Sequence, residues 1–262
     1  MVIMRLISWN IRAGGGRRIA GIAAQLQHWQ ADLVALQEFR GTAPSQQLAQ
    51  DLADLGLSCQ LSTVDPASPA TNALLLASRY PLRATRAAAA PDNRPRWLLA
   101  RIACERPFII GVMHVPNAVS GRKAPFHDAV LHLAQRWRRG PALFVGDTNT
   151  GISGLDDVTH VFSAREEAWM HGLQAAGWRD VFRDWHGDKR VYTWYSPNAG
   201  NGFRLDQAFV NARLMDQVSG IHYAWGIDDH APTRRDALSD HAALILDLQM
   251  DGKAGQHTRG KG

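Results

Sequence analysis

The chain has 262 residues, is 45% hydrophobic and carries a formal net charge of +5. That length and apolar content suffice for a substantial core and exclude a coiled coil, a collagen or a disordered chain. Two cysteines, Cys59 and Cys104, are too few for a disulfide scaffold, match no zinc-ligand spacing and point to a reducing compartment. Arg5, Asn10 and Arg12 break the N-terminal apolar segment, and no run reaches about 18 apolar residues, so a soluble, cytoplasmic protein without membrane attachment is expected. Apolar segments recur evenly from Leu6 to Leu248 with no Pro/Gly/Ser-rich linker, which favours one domain over residues 1–250. Residues 251–262 read as a Gly-rich, basic, disordered tail, so only part of the positive charge belongs to the body.

In chain order, Met4 to Trp9 reads as a buried strand, and Gly14, Gly15 and Gly16 turn it into a helix with Ile19, Ile22, Ala23, Leu26 and Trp29 on one face. Leu33 to Gln37 is a second strand ending in Glu38, and Leu48, Leu52 and Leu55 mark a helix stopping near Gly56. Three apolar runs follow, Asn72 to Ser78, Trp97 to Ala103 and Phe108 to Val115, separated by Pro81, Pro95 and Pro107. A helix is expected after Pro125, then the strand Ala142 to Asp147. Ser163 and Glu166 form a capping box for a helix ending at Gly177. The last third holds the strand candidates VYTWY, RLDQAFVN and HAALILDL. The most economical architecture is an α/β sandwich of two sheets, although periodicity alone also permits an open doubly wound sheet.

Polar, metal-capable residues stand at the ends of these strands: Asn10, Glu38, His114 with Asn117, Asp147 with Asn149, Asp206, and Asp240 with His241. Each alone has an ordinary explanation. Glu38 after an apolar strand offers oxygen to a hard cation such as Mg²⁺, but equally reads as a surface Glu opening a loop. GDTN (Gly146 to Asn149) can be an Asp/Asn turn, or can supply Asp147 as base and Asn149 as an uncharged donor to a phosphoryl oxygen. SDH (Ser239 to His241) joins a metal-capable carboxylate to an imidazole. Asp206, among apolar neighbours, needs a partner, and His241 is assigned to it.

Together SWNIR, LQE, HVPN, GDTN, YTWYS with NGFRLDQAFVN, and SDHAAL resemble, in order, the motifs of the endonuclease/exonuclease/phosphatase superfamily, nearest to its exonuclease III and apurinic endonuclease branch. The resemblance implies a four-layer α/β sandwich with two mixed sheets packed face to face, flanked by helices, and a divalent-metal-dependent phosphodiester hydrolase using Mg²⁺ or Mn²⁺. It places Glu38 and Asp240 on the cation, with Asn10 counted beside them as the holder of neighbouring carboxylates. It makes Asp147 the activator of water, Asn149 a phosphate support and Asp206–His241 the stabiliser of the transition state, with His114 and Asn117 flanking the scissile group.

The sequence also departs from that branch. Arg12 stands where a carboxylate is frequent, leaving one metal or two open. His114 replaces a phenol with a group that ordinarily titrates near neutrality, and Gln207 replaces a Tyr. DNA is favoured over RNA as substrate by the basic clusters Arg17–Arg18, Arg122–Lys123 and Arg136–Arg138–Arg139 and by Trp194. The alternative is a sister enzyme acting on a lipid head group, inositol phosphate or nucleotide-like molecule. Trp9, Trp29, Arg96 and Trp97 read as packing residues. A monomer without a protein partner is expected.

Overall fold

The computed structural model describes residues 2–226 and 238–250. The expected tail at 251–262 lies outside the described residues. Two six-stranded mixed sheets pack face to face with helices outside them, as expected. The first sheet is built from β1 (Ile3–Asn10), β2 (Leu33–Phe39), β3 (Cys59–Ser62), β4 (Ala73–Ser78), β13 (Val218–Ala224) and β14 (Ala243–Gln249), in the order β13-β14-β1-β2-β4-β3. The second contains β5 (Leu82–Ala84), β6 (Trp97–Ile102), β7 (Phe108–His114), β8 (Ala142–Asp147), β9 (Trp178–Asp180) and β12 (Asp206–Asn211), in the order β5-β6-β7-β8-β12-β9. Each has a single parallel pairing, β1 with β2 and β7 with β8. A two-stranded ribbon, β10 (Trp194–Tyr195) with β11 (Gly202–Phe203), forms a separate small sheet, bridged from Trp194 to His241.

The alternation of side chains along each strand separates three apolar layers. In β1, Met4 and Leu6 enter the core between the sheets, whereas Ile7 and Trp9 pack under helices α1 (Ile19–His28) and α2 (Ala43–Asp54). In β8, Leu143 and Val145 face the first sheet, and Phe144 packs outward with α3 (Lys123–Gln135) and α4 (Ala164–Ala175). Each large apolar side chain sealed in these layers contributes about 1.5–3 kcal/mol. The capping box at the start of α4 is present, with Ser163 N–H donating to Glu166 Oε2 at 2.7 Å. Two short helices, α5 (Val181–His186) and α6 (Ala212–Met215), follow β9 and β12.

The same alternation locates the site. One pleat beyond the inter-sheet residues Leu6, Val112, Val145 and Ala208, the inward positions fall to polar groups at or near the strand ends: Ser8 then Asn10, His114, Asp147 and Asp206. The apolar seam between the sheets thus runs directly into a polar cluster. Glu38 reaches it by another route. The pairing of β2 with β4 slips by one residue between Gln37 and Phe39, leaving Glu38 with a left-handed φ of 58°. Val34 and Leu36 face the outer helices, and so does Phe39, so the extra residue exchanges the two faces of the strand and turns position 38 away from the helices.

Among the described residues no helix is long and apolar enough to cross a membrane.

Candidate active site

Asp147 lies at the centre of the cluster. One of its oxygens, Oδ2, accepts a hydrogen bond from Asn10 Nδ2 at 3.1 Å and lies 3.6 Å from His114 Nε2, and Oδ1 accepts from Asn149 N–H at 2.9 Å. Burial is the main influence on this carboxyl and raises its pKa, reinforced by Asp206; His241 and the hydrogen bonds from Asn149 and Asn10 pull the other way. The result is a carboxyl able to exchange protons near neutrality. The glycine before it is required: the φ of Gly146 is 143°, and a Cβ there would stand 1.9 Å from the carbonyl oxygen of Met113 on β7. Only a residue without a side chain lets β7 and β8 approach while delivering Asp147 to the seam.

Across the seam, His241 Nδ1 bonds Asp206 Oδ2 at 2.9 Å, the pairing expected from sequence. Burial alone would lower the imidazole pKa, but Asp206, helped by Asp147 and Asp240, overrides it and lifts it to about 9. His241 is therefore an imidazolium at neutral pH. His114 goes the opposite way, held well below the usual histidine range by burial, then by Arg96 and His241. This corrects the expectation of an imidazole titrating near neutrality: a neutral ring and a charged ring share the site. His114 Nδ1 and Asp206 Oδ1 are buried without a hydrogen-bond partner among the described residues, at a site where polar groups are normally satisfied.

Asn10 is a link between these groups. Its Oδ1 accepts from Arg12 N–H at 3.0 Å while Nδ2 holds Asp147, so both ends of its amide are engaged within the protein. Arg12 itself is exposed. Glu38 Oε2 accepts from Ala13 N–H at 2.7 Å, and Asp240 Oδ2 accepts from the Trp194 indole at 3.4 Å. Among the described residues no three His, Cys, Asp or Glu side chains gather as a metal-ligand set. Asn149, also left-handed with φ 47°, spends an amide hydrogen on Val115 O at 2.8 Å, which fixes its plane. Asn117 is the exception: it is exposed on the loop after β7 and lies in the wall of a recess beside the cluster.

Several participants have no site role assigned from the sequence. Ser239 is buried, its hydroxyl donates to Asn10 O at 2.5 Å and accepts from His241 N–H at 3.2 Å, and so ties the SDH turn to the end of β1. Thr193 Oγ1 accepts from the backbone N–H groups of Leu205 and Asp206 at 2.9 and 3.2 Å, while its carbonyl accepts from Ala242 N–H at 2.8 Å. Trp9 packs in the core as expected, and its indole also donates to His241 O at 2.9 Å. Arg96, read from sequence as packing, is half-buried at the cluster, with Nη1 3.4 Å from His114 O and its charge acting on Asp147 and Glu38. Its position opening an apolar run concealed this role. Behind β12, fully buried Arg204 bonds Asp156 through Nε at 2.7 Å and Asp180 through Nη2 at 2.6 Å, anchoring the segment that leads into Asp206.

The basic clusters divide. Arg138 Nη1 bonds the carbonyl of its neighbour Trp137 at 2.8 Å and Arg139 Nη1 that of Arg86 at 2.6 Å, next to the N-terminal end of β8, whereas Asp147 lies at its C-terminal end. Arg18 holds carbonyls of Ile11 and Arg12 at 3.1 and 2.6 Å. These arginines are structural pins.

A sequence model of the Endonuclease/Exonuclease/phosphatase family matches residues 7–241, and the chain belongs to that family. It is accordingly a phosphoester-hydrolysing enzyme. Among solved structures it is similar to the 3' phosphatase NExo from Neisseria bound to product DNA hairpin, with a TM-score of 0.75 and 17% identity over 94% of this chain and 99% of that one. An AP endonuclease from Archaeoglobus fulgidus has a TM-score of 0.75 and 18% identity over 93% and 98%. The 3'-5' exonuclease NExo from Neisseria meningitidis gives 0.74 and 19% over 94% and 100%. At these identities the similarity is one of fold. No curated protein matches the chain by sequence.

Proposed function

We propose that the chain is a divalent-metal-dependent DNA nuclease that cleaves a backbone phosphodiester by in-line attack of water. The observation that carries this reading is the pairing, at one buried seam, of a carboxyl raised toward neutrality with an imidazolium held by its own carboxylate, Asp147 beside Asp206–His241. In its ionised form Asp147 takes the proton of the attacking water, with Asn10 and Asn149 N–H fixing its two oxygens. The charged His241 offsets negative charge growing on the phosphoryl oxygens, and Asp206 keeps the ring oriented and protonated. His114, neutral, and Arg96, cationic, complete the wall facing the phosphate.

Glu38 and Asp240 present oxygen donors and no sulfur, a set suited to Mg²⁺ or Mn²⁺, which take one or two carboxylates together with water and substrate phosphate. A cation held by them supplies charge neutralisation on the phosphate oxygens. Asn10, with both ends of its amide engaged, orders the neighbouring groups. DNA is the substrate favoured because the similar Neisseria structure is described as bound to a product DNA hairpin and because the site is rimmed by Arg96 and Arg122, neither of which forms a salt bridge among the described residues.

The test is incubation of purified protein with Mg²⁺ or Mn²⁺ and a panel of single-stranded DNA, duplex DNA, abasic duplex, RNA and small phosphoesters. Cleavage of DNA that EDTA abolishes is expected, with loss in Asp147→Ala and His241→Ala. Hydrolysis of the small phosphoesters alone would replace this reading with a phosphatase; full activity in either variant would remove the site.

A further inference from the structure

Beside the cluster, on the side of Arg96, lies an open recess of about 290 Å³. Among the described residues its wall includes Arg96 and Arg122, three asparagines, Asn72, Asn93 and Asn117, and no carboxylate. We propose that this recess seats a second phosphate of the substrate, next to the one being cut, and that Arg122 selects substrates that carry it. This rests on the nuclease reading above and specifies it further.

The charge balance is the first argument. Arg122 is exposed and Arg96 half-buried, and neither has a carboxylate within salt-bridge distance among the described residues. They are close enough for Arg122 to destabilise the charge on Arg96. Asp147 and Glu38 favour the charge on Arg96 from the side of the cluster, but no carboxylate among the described residues forms a salt bridge with either arginine, and a guanidinium fork matches phosphate oxygens. The adjacent Lys123 is already engaged, by Glu166 and by Asn149 O, so it does not serve this recess. Three amides add donors without adding negative charge.

Continuity is the second. Arg96 borders both the recess and the cluster, touching His114 O. Beyond Arg122 the recess opens into a larger groove of about 1050 Å³ that shares Asn93, Pro95 and Arg122 with it. That outer groove carries Arg94 but also Asp65 and Asp92, with Pro91, Pro125 and Phe126 among its apolar walls. The preference for an anion is thus confined to the recess, and the outer groove is suited to the less charged sugar and base of the next residue. A chain with repeating phosphates fits this sequence of surfaces; a lone phosphomonoester fills only the first.

The experiment compares kcat/KM for cleavage of the single internal phosphodiester in TpT, pTpT and TpTp, using intact protein with Mg²⁺. One of the two phosphorylated dinucleotides should exceed TpT by at least tenfold in the wild type, and that advantage should fall to about threefold or less in Arg122→Ala. On a single-stranded 12-mer, Arg122→Ala should reduce the slope of log kcat/KM against log salt by about 1, whereas Arg213→Ala, an exposed arginine on α6, should not reproduce the loss of the dinucleotide advantage. Circular dichroism of each variant checks folding. An advantage that persists in Arg122→Ala, or an unchanged salt slope, overturns the recess while leaving the nuclease intact. A wild type that cleaves no oligonucleotide but hydrolyses small phosphoesters overturns both. If the dinucleotides are too short to be cut, the salt slope on the 12-mer decides.

Discussion

Replacing Asp206 with Asn tests the electrostatic core of the site. The pair spans 2.9 Å, and the imidazole of His241 is lifted from its ordinary 6.5 to about 9 even though burial opposes the charge. That displacement corresponds to roughly 3 kcal/mol in favour of the imidazolium. An amide at position 206 keeps the shape but removes the counter-charge, so burial then prevails and the ring should titrate below 6.5. The assay is NMR titration of the His241 ring in metal-free protein, wild type against Asp206→Asn. Because the folded-state pKa is raised, the stabilisation is fully present below about pH 6.5 and is lost as pH rises through about 9. Urea unfolding of the wild type should therefore weaken across that interval by up to about 3 kcal/mol from this group, and the variant should lack this slope. Hydrolysis at pH 8 should fall at least about tenfold, since the ring is then neutral. A ring that still titrates near 9 without Asp206 would refute the assignment of cause.

Three further substitutions probe other parts of the design. Gly146→Ala forces a Cβ against Met113 O and should cost about 4 kcal/mol or more, read as a drop of roughly 10 °C in Tm. Arg204→Met strips Asp156 and Asp180 of their buried partner and should destabilise by roughly 3–5 kcal/mol in urea unfolding, more than an exposed arginine such as Arg213→Met. Glu38→Gln retains an oxygen for Ala13 N–H but loses the charge, so calorimetric titration with Mn²⁺ should show at least about tenfold weaker binding, with Tm nearly unchanged.

The sequence was most readable where chemistry interrupts periodicity. Asn10, His114 and Asp147 each follow an apolar run on the parity of its inward face, and Asp206 opens one on the same parity, so the strand that places them can be recognised from alternation. The partnership of Asp206 with His241 was likewise legible, because a carboxylate among apolar neighbours needs a cation. Glu38 was legible as a strand-end carboxylate, but not the means of its delivery: the strand runs on to Phe39, and an L residue with φ 58° in a bulge has no reliable local signature. The strands β3, β5, β9 and β13 were missed because three- or four-residue segments, or a longer strand such as Val218–Ala224 that is buried only at every third residue, owe their pairing to distant neighbours. VYTWY yields only the two-residue β10 for the same reason. Arg96 and Arg122 were indistinguishable in composition from Arg138 and Arg139; only the fold separates arginines lining the recess beside the seam from those bonded to backbone carbonyls elsewhere.

The seam itself has a consequence for how this enzyme fails. Asn10 belongs to the first sheet and Asp147 to the second, and the Asp206–His241 bond crosses between the second sheet and the residue leading into the last strand of the first. Neither sheet owns a complete set of reacting groups. Loss of register between the sheets by a single ångström breaks both bridges at once, long before the apolar layers separate. Hydrolysis should therefore vanish at lower denaturant than helix and strand content, making turnover the most sensitive gauge of whether the two halves remain aligned.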